Sequence, residues 1–120
     1  MAQLIKAGDA KDLQLPGRRS LEILSSKLGS DAVSLRLVEI PVRLPDAPPR
    51  KHHFHSDHEE CIYILSGEGR TVADSGEYAL GPGDHILIPP GENHVTLNTG
   101  DGPLLMLCFF PTGCVSETKA

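Results

Sequence analysis

Turn-forming segments divide this chain into short pieces, and their spacing is the feature that most constrains its fold. Segments such as SGEG, GPGD and PPGE recur about every eight to twelve residues, a spacing typical of antiparallel all-β domains. Ten prolines and twelve glycines in 120 residues leave little room for helix interiors, which both residue types disrupt. Between the turns, apolar and polar residues alternate, and β-branched side chains are frequent. The sequence therefore predicts an all-β fold with few helices.

Alternation and β-branched content predict nine strands along the chain. They cover residues 20–25, 34–42, 50–55, 61–66, 70–74, 76–80, 84–89, 93–98 and 103–110. Eight or nine short strands are typical of a jelly roll or small barrel, in which two sheets close on each other and can leave a cavity inside. The last strand, PLLMLCFF, is expected to pack in the core, with Met106, Cys108 and Phe110 on one face.

Length and charge limit the partners of the chain. A chain of 120 residues predicts a single domain spanning 1–120, long enough to bury a core. The net charge of -5 argues against a surface that neutralises nucleic-acid phosphates or an anionic membrane. Charged residues at the N-terminus do not fit a signal peptide, and LLMLCFF is too short to span a bilayer. Three cysteines are an odd number that fits no disulfide framework. A cytoplasmic protein is expected.

A histidine-rich segment, HHFHSDHEE, offers metal-binding side chains. On a strand, residues two apart face the same way, so His53 and His55 project to one face while His52 projects to the other. Two imidazoles and a carboxylate are a common ligand set for a transition metal. Glu60 opens the next strand and can be the third ligand. Its neighbour Glu59 must face the opposite way if that strand has already begun.

These residues resemble the two motifs of the cupin family. The first family motif reads G(X)5HXH(X)3-4E(X)6G, and the chain matches it from His53 through Glu60 to Gly67, with Ala47 in place of the leading glycine. The second reads G(X)5PXG(X)2H(X)3N, and every position matches: Gly83, Pro89, Gly91, His94 and Asn98. The resemblance covers residues 47–98, with motif 1 at 53–67 and motif 2 at 83–98. It implies a double-stranded β-helix, or jelly-roll barrel.

The resemblance also implies a metal centre inside the barrel. Its ligands would be His53, His55, Glu60 and His94, and its ion one divalent transition metal: Fe, Mn, Ni or Zn. Three neutral imidazoles and one carboxylate leave such a site with a net charge of about +1 and two open positions. A small anionic or diol-like chelator is therefore the expected ligand.

Other residues are candidates for the pocket and for catalysis. Ile62 and Ile64 continue the face of Glu60, and Thr96 shares the face of His94, so these three are expected to line the pocket. Arg36 can reach a substrate carboxylate if its face lines the cavity; otherwise it lies on a solvated sheet face. His58, in the break between the ligands, can lean over the pocket mouth as an acid or base, with Glu60 the other candidate.

The motifs leave the reaction open, because cupins carry out many chemistries. Since the positions beside Glu60 are apolar and supply no dedicated base, the favoured interpretation is a non-haem dioxygenase acting on a chelating, oxygen-rich metabolite. The alternatives are a metal-dependent isomerase, cyclase or lyase, and a non-catalytic metal- or sugar-binding cupin. By the family resemblance, a homodimer is expected, with the segment SLEILS available to cover a sheet edge.

Overall fold

The fold consists of short strands joined by tight turns. The computed structural model describes residues 1–119. Its strands are β1 (Lys11–Asp12), β2 (Arg19–Leu24), β3 (Ser34–Ile40), β4 (His53–Phe54), β5 (Glu60–Ser66), β6 (Gly69–Ala73), β7 (Gly76–Leu80), β8 (His85–Ile88), β9 (His94–Asn98), β10 (Leu104–Phe110) and β11 (Thr118–Lys119). Two short 3₁₀ turns, Ala7–Asp9 and Ser26–Leu28, are the only helical segments among these residues. Within the same range, no helix has the length and hydropathy needed to cross a membrane.

The strands form two antiparallel sheets. One has the order β1-β2-β3-β10-β5-β8, and the other has the order β11-β4-β9-β6-β7. Strands that are distant in sequence are neighbours in both sheets, as in β3-β10 and β4-β9, which is the connectivity of a jelly roll. The all-β jelly-roll fold expected from the sequence is therefore confirmed.

All nine predicted strands are present, with differences at their ends. The largest difference concerns 50–55, of which only His53 and Phe54 are in a strand, because only these two residues have partners in β9 and β11. The alternation of SLEILS is also visible in the structure, where β2 pairs with β3 of the same chain. Strands β1 and β11 were missed, since two residues are too few to show alternation.

The hydrophobic core lies between the two sheets. Met106, Cys108 and Phe110 share the inward face of β10, and each is less than 5% exposed. Along β5, Ile62 is only 2% exposed and Ile64 has no exposed surface. Because inward side chains follow the pleat on every strand, the same alternation that builds the core also directs polar side chains into the barrel.

Two motif glycines differ in what surrounds them. Gly67 and Gly83 have positive φ angles of 86° and 87°, which residues with a side chain rarely adopt. A Cβ at Gly67 would also clash with the carbonyl oxygen of Pro103 and lie 3.0 Å from the Cα of Leu104, whereas a Cβ at Gly83 would meet nothing within 4 Å. Gly67 is therefore required by both its backbone angle and the close approach of the chain before β10.

This difference predicts the cost of two alanine substitutions. Gly83→Ala should lower the free energy of unfolding by about 1–2 kcal/mol, the cost of a left-handed residue. Gly67→Ala should lower it by about 1–3 kcal/mol more, because backbone atoms must move to admit the methyl group. Urea unfolding of both variants measures the difference. Equal losses at the two positions would show that the contact with Pro103 adds nothing to the free-energy cost of the Gly67 substitution.

Candidate metal centre

Four side chains meet at one end of the barrel interior. The ligand atoms of His53, His55, Glu60 and His94 all lie within 4.8 Å of one another. His53 on β4 is directly opposite His94 on β9, and His55 follows β4, so the three imidazoles come from the five-stranded sheet. Glu60 opens β5 in the other sheet. The cluster therefore lies between the sheets and depends on both.

The strand register selects Glu60 over its neighbour. Glu60 is 6% exposed and faces the imidazoles, while Glu59 is exposed on the surface. A hydrogen bond of 2.7 Å from the backbone N–H of Gly91 to the carbonyl of His55 links the second motif to the first. Gly91 has a positive φ of 81°, which turns the chain toward His94. The two motifs are thus joined at the cluster itself.

Hydrogen bonds at the far side of two imidazoles fix their orientation. Nδ1 of His55 donates to the carbonyl of Ser116, and Nδ1 of His94 donates to the carbonyl of Glu92 at 3.0 Å. Nε2 of each ring then faces Oε1 of Glu60, at 3.2 Å and 2.9 Å. A neutral imidazole that donates through Nδ1 has a lone pair at Nε2, and this lone pair repels a carboxylate unless a proton or a cation lies between them. Carbonyl-oriented imidazoles of this kind are typical of metal ligands, so the four residues fit a divalent ion.

The pKa values agree with this donor set. Burial, followed by the neighbouring charge of His94, lowers the pKa of His53 to about 4, so its ring is neutral near neutral pH. Burial alone would raise the pKa of Glu60, but hydrogen bonds to His55 and His94 outweigh it and lower the pKa to about 2. Burial also opposes charge on His55, yet its bonds to Glu60 and Ser116 raise its pKa. A metal ion binding here would therefore compete with a proton on the His55 ring.

A cavity of about 50 Å³ opens beside the cluster. Of the expected pocket residues, Arg36, Ile62 and Thr96 line it, and the hydroxyl of Thr96 lies 2.8 Å from that of Thr71. Ile64 does not line it, contrary to expectation: the side chain is one step further along β5 and is enclosed in the hydrophobic core. Cys108 lines the cavity as a neutral thiol, because burial raises its pKa well above the usual value.

His58 occupies a different place from the one expected. Its ring stacks on the ring of His55, with centroids 4.8 Å apart, and lies edge-on to Phe110 at 5.6 Å. Nδ1 lies 3.2 Å from the carbonyl of Glu59, and Nε2 is buried without a hydrogen-bond partner. The ring is not among the groups that line the cavity, because it lies behind His55 rather than over the mouth. His58 can support the orientation of His55 but does not reach the space beside the cluster.

The C-terminal segment supplies a side chain that the sequence did not reveal. Strand β11 pairs with β4, with Thr118 opposite Phe54, and this places Glu117 at the cavity. Its Oε2 atom lies 3.5 Å from Nε2 of His53. Arg18 and Arg50 also line the cavity and were likewise not predicted. None of the three belongs to either motif, and no sequence signal connects them to the cluster.

Together the double-sheet barrel and its interior cluster of three histidines and a glutamate form a candidate metal site of the cupin type. Comparison with family models agrees, since the model described as the cupin domain matches residues 37–110. The chain belongs to the cupin domain family, as the motifs indicated.

Curated relatives match only part of the chain and part of their own length. An uncharacterized protein of Methanocaldococcus jannaschii is 41% identical over 56 residues, which cover 47% of this chain and 45% of the relative. The glucose-6-phosphate isomerase of Thermococcus litoralis is 34% identical over 68 residues, or 51% of this chain and 36% of the isomerase. The matches thus span less than half of these relatives.

Solved structures share the fold over most of the chain. The oxalate decarboxylase of Lactobacillus farciminis, solved as a formate complex, superposes with a TM-score of 0.79 at 24% identity, covering 93% of this chain and 34% of that chain. A Bacillus subtilis oxalate decarboxylase, a protein described as having Mn(II) centres, gives 0.76 at 22% identity over 91% of this chain and 29% of that chain. At this identity the likeness shows the fold alone.

The geometry predicts which glutamate is needed for metal binding. Glu60→Gln should lose most of its bound divalent metal, because it replaces the anionic ligand by a neutral amide. Glu59→Gln should retain the wild-type metal content, since its exposed side chain faces away. Elemental analysis of both purified variants, after loading with Mn(II) or Zn(II) and desalting, measures this. Loss in the Glu59 variant with retention in the Glu60 variant would overturn the register.

Proposed function

We propose that this protein is a metal-dependent enzyme that acts on a small chelating anion. One divalent transition metal, Fe, Mn, Ni or Zn, would be held by His53, His55, Glu60 and His94. The observation that carries the proposal is the convergence of these ligand atoms within 4.8 Å, at a cavity that is also lined by Glu117 and by arginines. When bound, such an ion supplies Lewis-acid polarisation of a substrate oxygen.

The side chains around the cluster favour proton transfer as the reaction class. The carboxylate of Glu117 lines the cavity 3.5 Å from the Nε2 atom of His53. In an isomerisation, this carboxylate would accept a proton from the hydroxyl-bearing carbon next to a carbonyl and return it to the carbonyl carbon, while the hydroxyl proton passes to the former carbonyl oxygen. In a lyase, it would take the same proton, and the leaving group on the next carbon would depart with the electron pair of its bond. The dioxygenase interpretation depended on having no base beside the ligands, and Glu117 removes that reason.

Oxygen chemistry is retained as a second candidate because part of the cavity wall is apolar. Val38, Ile62, Met106 and Phe110 all line the cavity. Apolar walls exclude water from a reactive intermediate, which a non-haem dioxygenase requires. The relatives named as glucose-6-phosphate isomerases support the first candidate, although the match covers about a third of each of them.

Turnover under defined gas separates the two candidates. The protein would be loaded without air with Fe(II), Mn(II), Ni(II) or Zn(II) and offered 1,2-diols, enols, 2-oxo acids and dicarboxylates. Product formation under argon, also with zinc, is the expected result. Turnover that consumes O2 and fails with zinc would support the dioxygenase instead. Metal-dependent binding of a compound without turnover would support a non-catalytic metal- or sugar-binding cupin.

Glu117→Gln tests the proton carrier directly. With the substrate found in that panel, kcat should fall by about 10²–10⁴-fold, the usual contribution of a positioned acid or base. KM and metal content should stay close to wild type, because the amide is isosteric and Glu117 is outside the ligand cluster. The exposed Glu59→Gln serves as the matched control. An unchanged kcat in the Glu117 variant would exclude it as the catalytic group.

We also propose that the protein forms a homodimer through the outer face of the six-stranded sheet. Two cross-strand rows on this face are largely apolar. They are Leu35, Phe109, Cys61 and Leu87 in one row, and Leu37, Leu107, Tyr63 and His85 in the other. Phe109, Tyr63 and Leu87 are 38%, 44% and 55% exposed, so large apolar side chains face outward on this sheet. A second copy with the same patch would cover it.

Charge substitution on this face should separate the subunits. Leu87→Glu is expected to shift the sedimentation mass from two chains to one at micromolar concentration, because a buried unpaired carboxylate opposes association. Tyr78→Glu, on the other sheet, is the control and should leave the mass unchanged. A single-chain mass in the wild-type protein would contradict the dimer.

A cytoplasmic location is also proposed, and it is supported by the three free cysteines.

A further inference from the structure

Three arginines from separate parts of the chain line the metal cavity. Arg18 precedes β2, Arg36 lies on β3 and Arg50 precedes β4. Arg36 and Ile62 both flank Cys108 in register, so they lie two strand spacings, about 10 Å, apart across the sheet. Arg36 is thus two strands away from the strand that carries Glu60, in the same sheet and at the same cavity.

Among the described residues, no carboxylate forms an ion pair with these guanidinium groups. Arg18 donates to the carbonyl of Pro16 at 3.1 Å, and Arg50 donates to the carbonyl of Thr96. Arg36 lies over the ring of Phe110 with its Cζ atom 5.3 Å from the centroid, and its Nε is buried without a partner. All three side chains are half-buried, and guanidinium groups that line a cavity without an ion pair among the described residues can bind an anion there.

The nearby carboxylates offset only part of this charge, since two of them, Glu60 and Glu117, line the cavity together with three arginines. Glu22, in register with Arg36 on β2, accepts a hydrogen bond from the hydroxyl of Ser25 at 2.6 Å and forms no ion pair with the arginine. Glu60 and Glu117, the carboxylates of the cavity, face imidazoles instead. With neutral imidazoles the cavity keeps an excess positive charge, and a bound divalent ion would increase it. One acidic group on the ligand is not enough to balance this charge.

We infer that Arg18, Arg36 and Arg50 form an anion subsite for a second acidic group of the substrate, so that the substrate is a small dianion. This inference rests on the proposed function, in which the first acidic group chelates the metal. The cavity of about 50 Å³ has room for about four water-sized groups, so the chain between the two acidic groups is short. Bidentate contacts to a carboxylate or a phosphate suit guanidinium geometry equally well.

A matched pair of small acids tests the subsite. Malonate has two carboxylates, and malonamate has the same shape with one of them replaced by a neutral amide. Titration calorimetry on the Mn(II)-loaded protein should give malonate at least about tenfold tighter binding, the effect expected for charge-assisted hydrogen bonds. Inorganic phosphate, titrated in competition with malonate, shows whether the subsite takes phosphate as well. Equal affinity for malonate and malonamate would overturn the inference.

Arginine variants locate the preference. Arg36→Gln and Arg18→Gln should each weaken malonate binding by about tenfold and malonamate binding by less than about twofold. Arg19→Gln, next to Arg18 but exposed, removes the same charge from the surface and should change neither value. Circular dichroism and metal content establish that each variant is folded and loaded. An equal loss in Arg19→Gln would mean that long-range charge, not the subsite, selects the anion.

The two proposals fail in different ways. A wild-type protein that retains no divalent metal after loading contradicts the proposed function. A protein that retains metal but does not distinguish malonate from malonamate leaves the metal centre in place and contradicts only the arginine subsite.

Discussion

The interaction on which the site depends is that of the Glu60 carboxylate with the imidazoles of His55 and His94. Burying a carboxylate is costly unless positive charge or hydrogen-bond donors offset the loss of water. Here the offset comes from a proton or a cation shared between Oε1 and the Nε2 atoms of the two rings, which lie 3.2 Å and 2.9 Å from it. Because Glu60 opens β5 in one sheet while His94 lies on β9 in the other and His55 follows β4, this contact bridges the two sheets.

The geometry of the cluster follows from the ordinary rules of β structure. Alternation brings His53 to the inward face of β4, and antiparallel pairing places it opposite His94. The same alternation buries Glu60 and exposes Glu59. Backbone carbonyls at Ser116 and Glu92 then rotate the rings so that Nε2 points inward. Alternation acts locally, whereas the pairing of β4 with β9 and the hydrogen bond to Ser116 join segments that are distant in sequence.

These rules explain how much the sequence could predict. The spacing of turns and the alternation of apolar and polar residues located the nine principal strands. The spacing of the two motifs predicted that the four cluster residues lie together. The pocket residues were harder to predict. Ile62 and Ile64 face the same side of β5, but of the two only Ile62 lines the cavity of about 50 Å³. Whether a residue has an odd or even position in the strand determines which way its side chain faces, but the depth of the cavity depends on the packing of the whole core.

The residues that were missed all reach the site through long-range contacts. Glu117 lies far from both motifs in sequence, and only the pairing of β11 with β4 brings it to His53. A two-residue strand has no periodicity, so the local sequence does not predict that pairing. Arg18 and Arg50 lie in segments outside the strands, where the path of the backbone depends on tertiary contacts. Arg36 was a candidate because the alternation of β3 predicted which way its side chain faces. The groups that surround this side chain could not be predicted from the sequence.

The reaction class depends on those same residues, which is why the structure changes the interpretation. The motifs define a donor set that many cupin reactions share, so they cannot separate oxygen chemistry from proton chemistry. That separation requires a group that can carry a proton beside the ligands, and within the motifs the sequence offered only His58 and Glu60 itself. Under the proposed function this group is Glu117, which precedes β11; the same segment orients His55 through the carbonyl of Ser116. On this proposal the chemistry of the barrel depends on the pairing of the C-terminal segment with β4 as much as on the motifs.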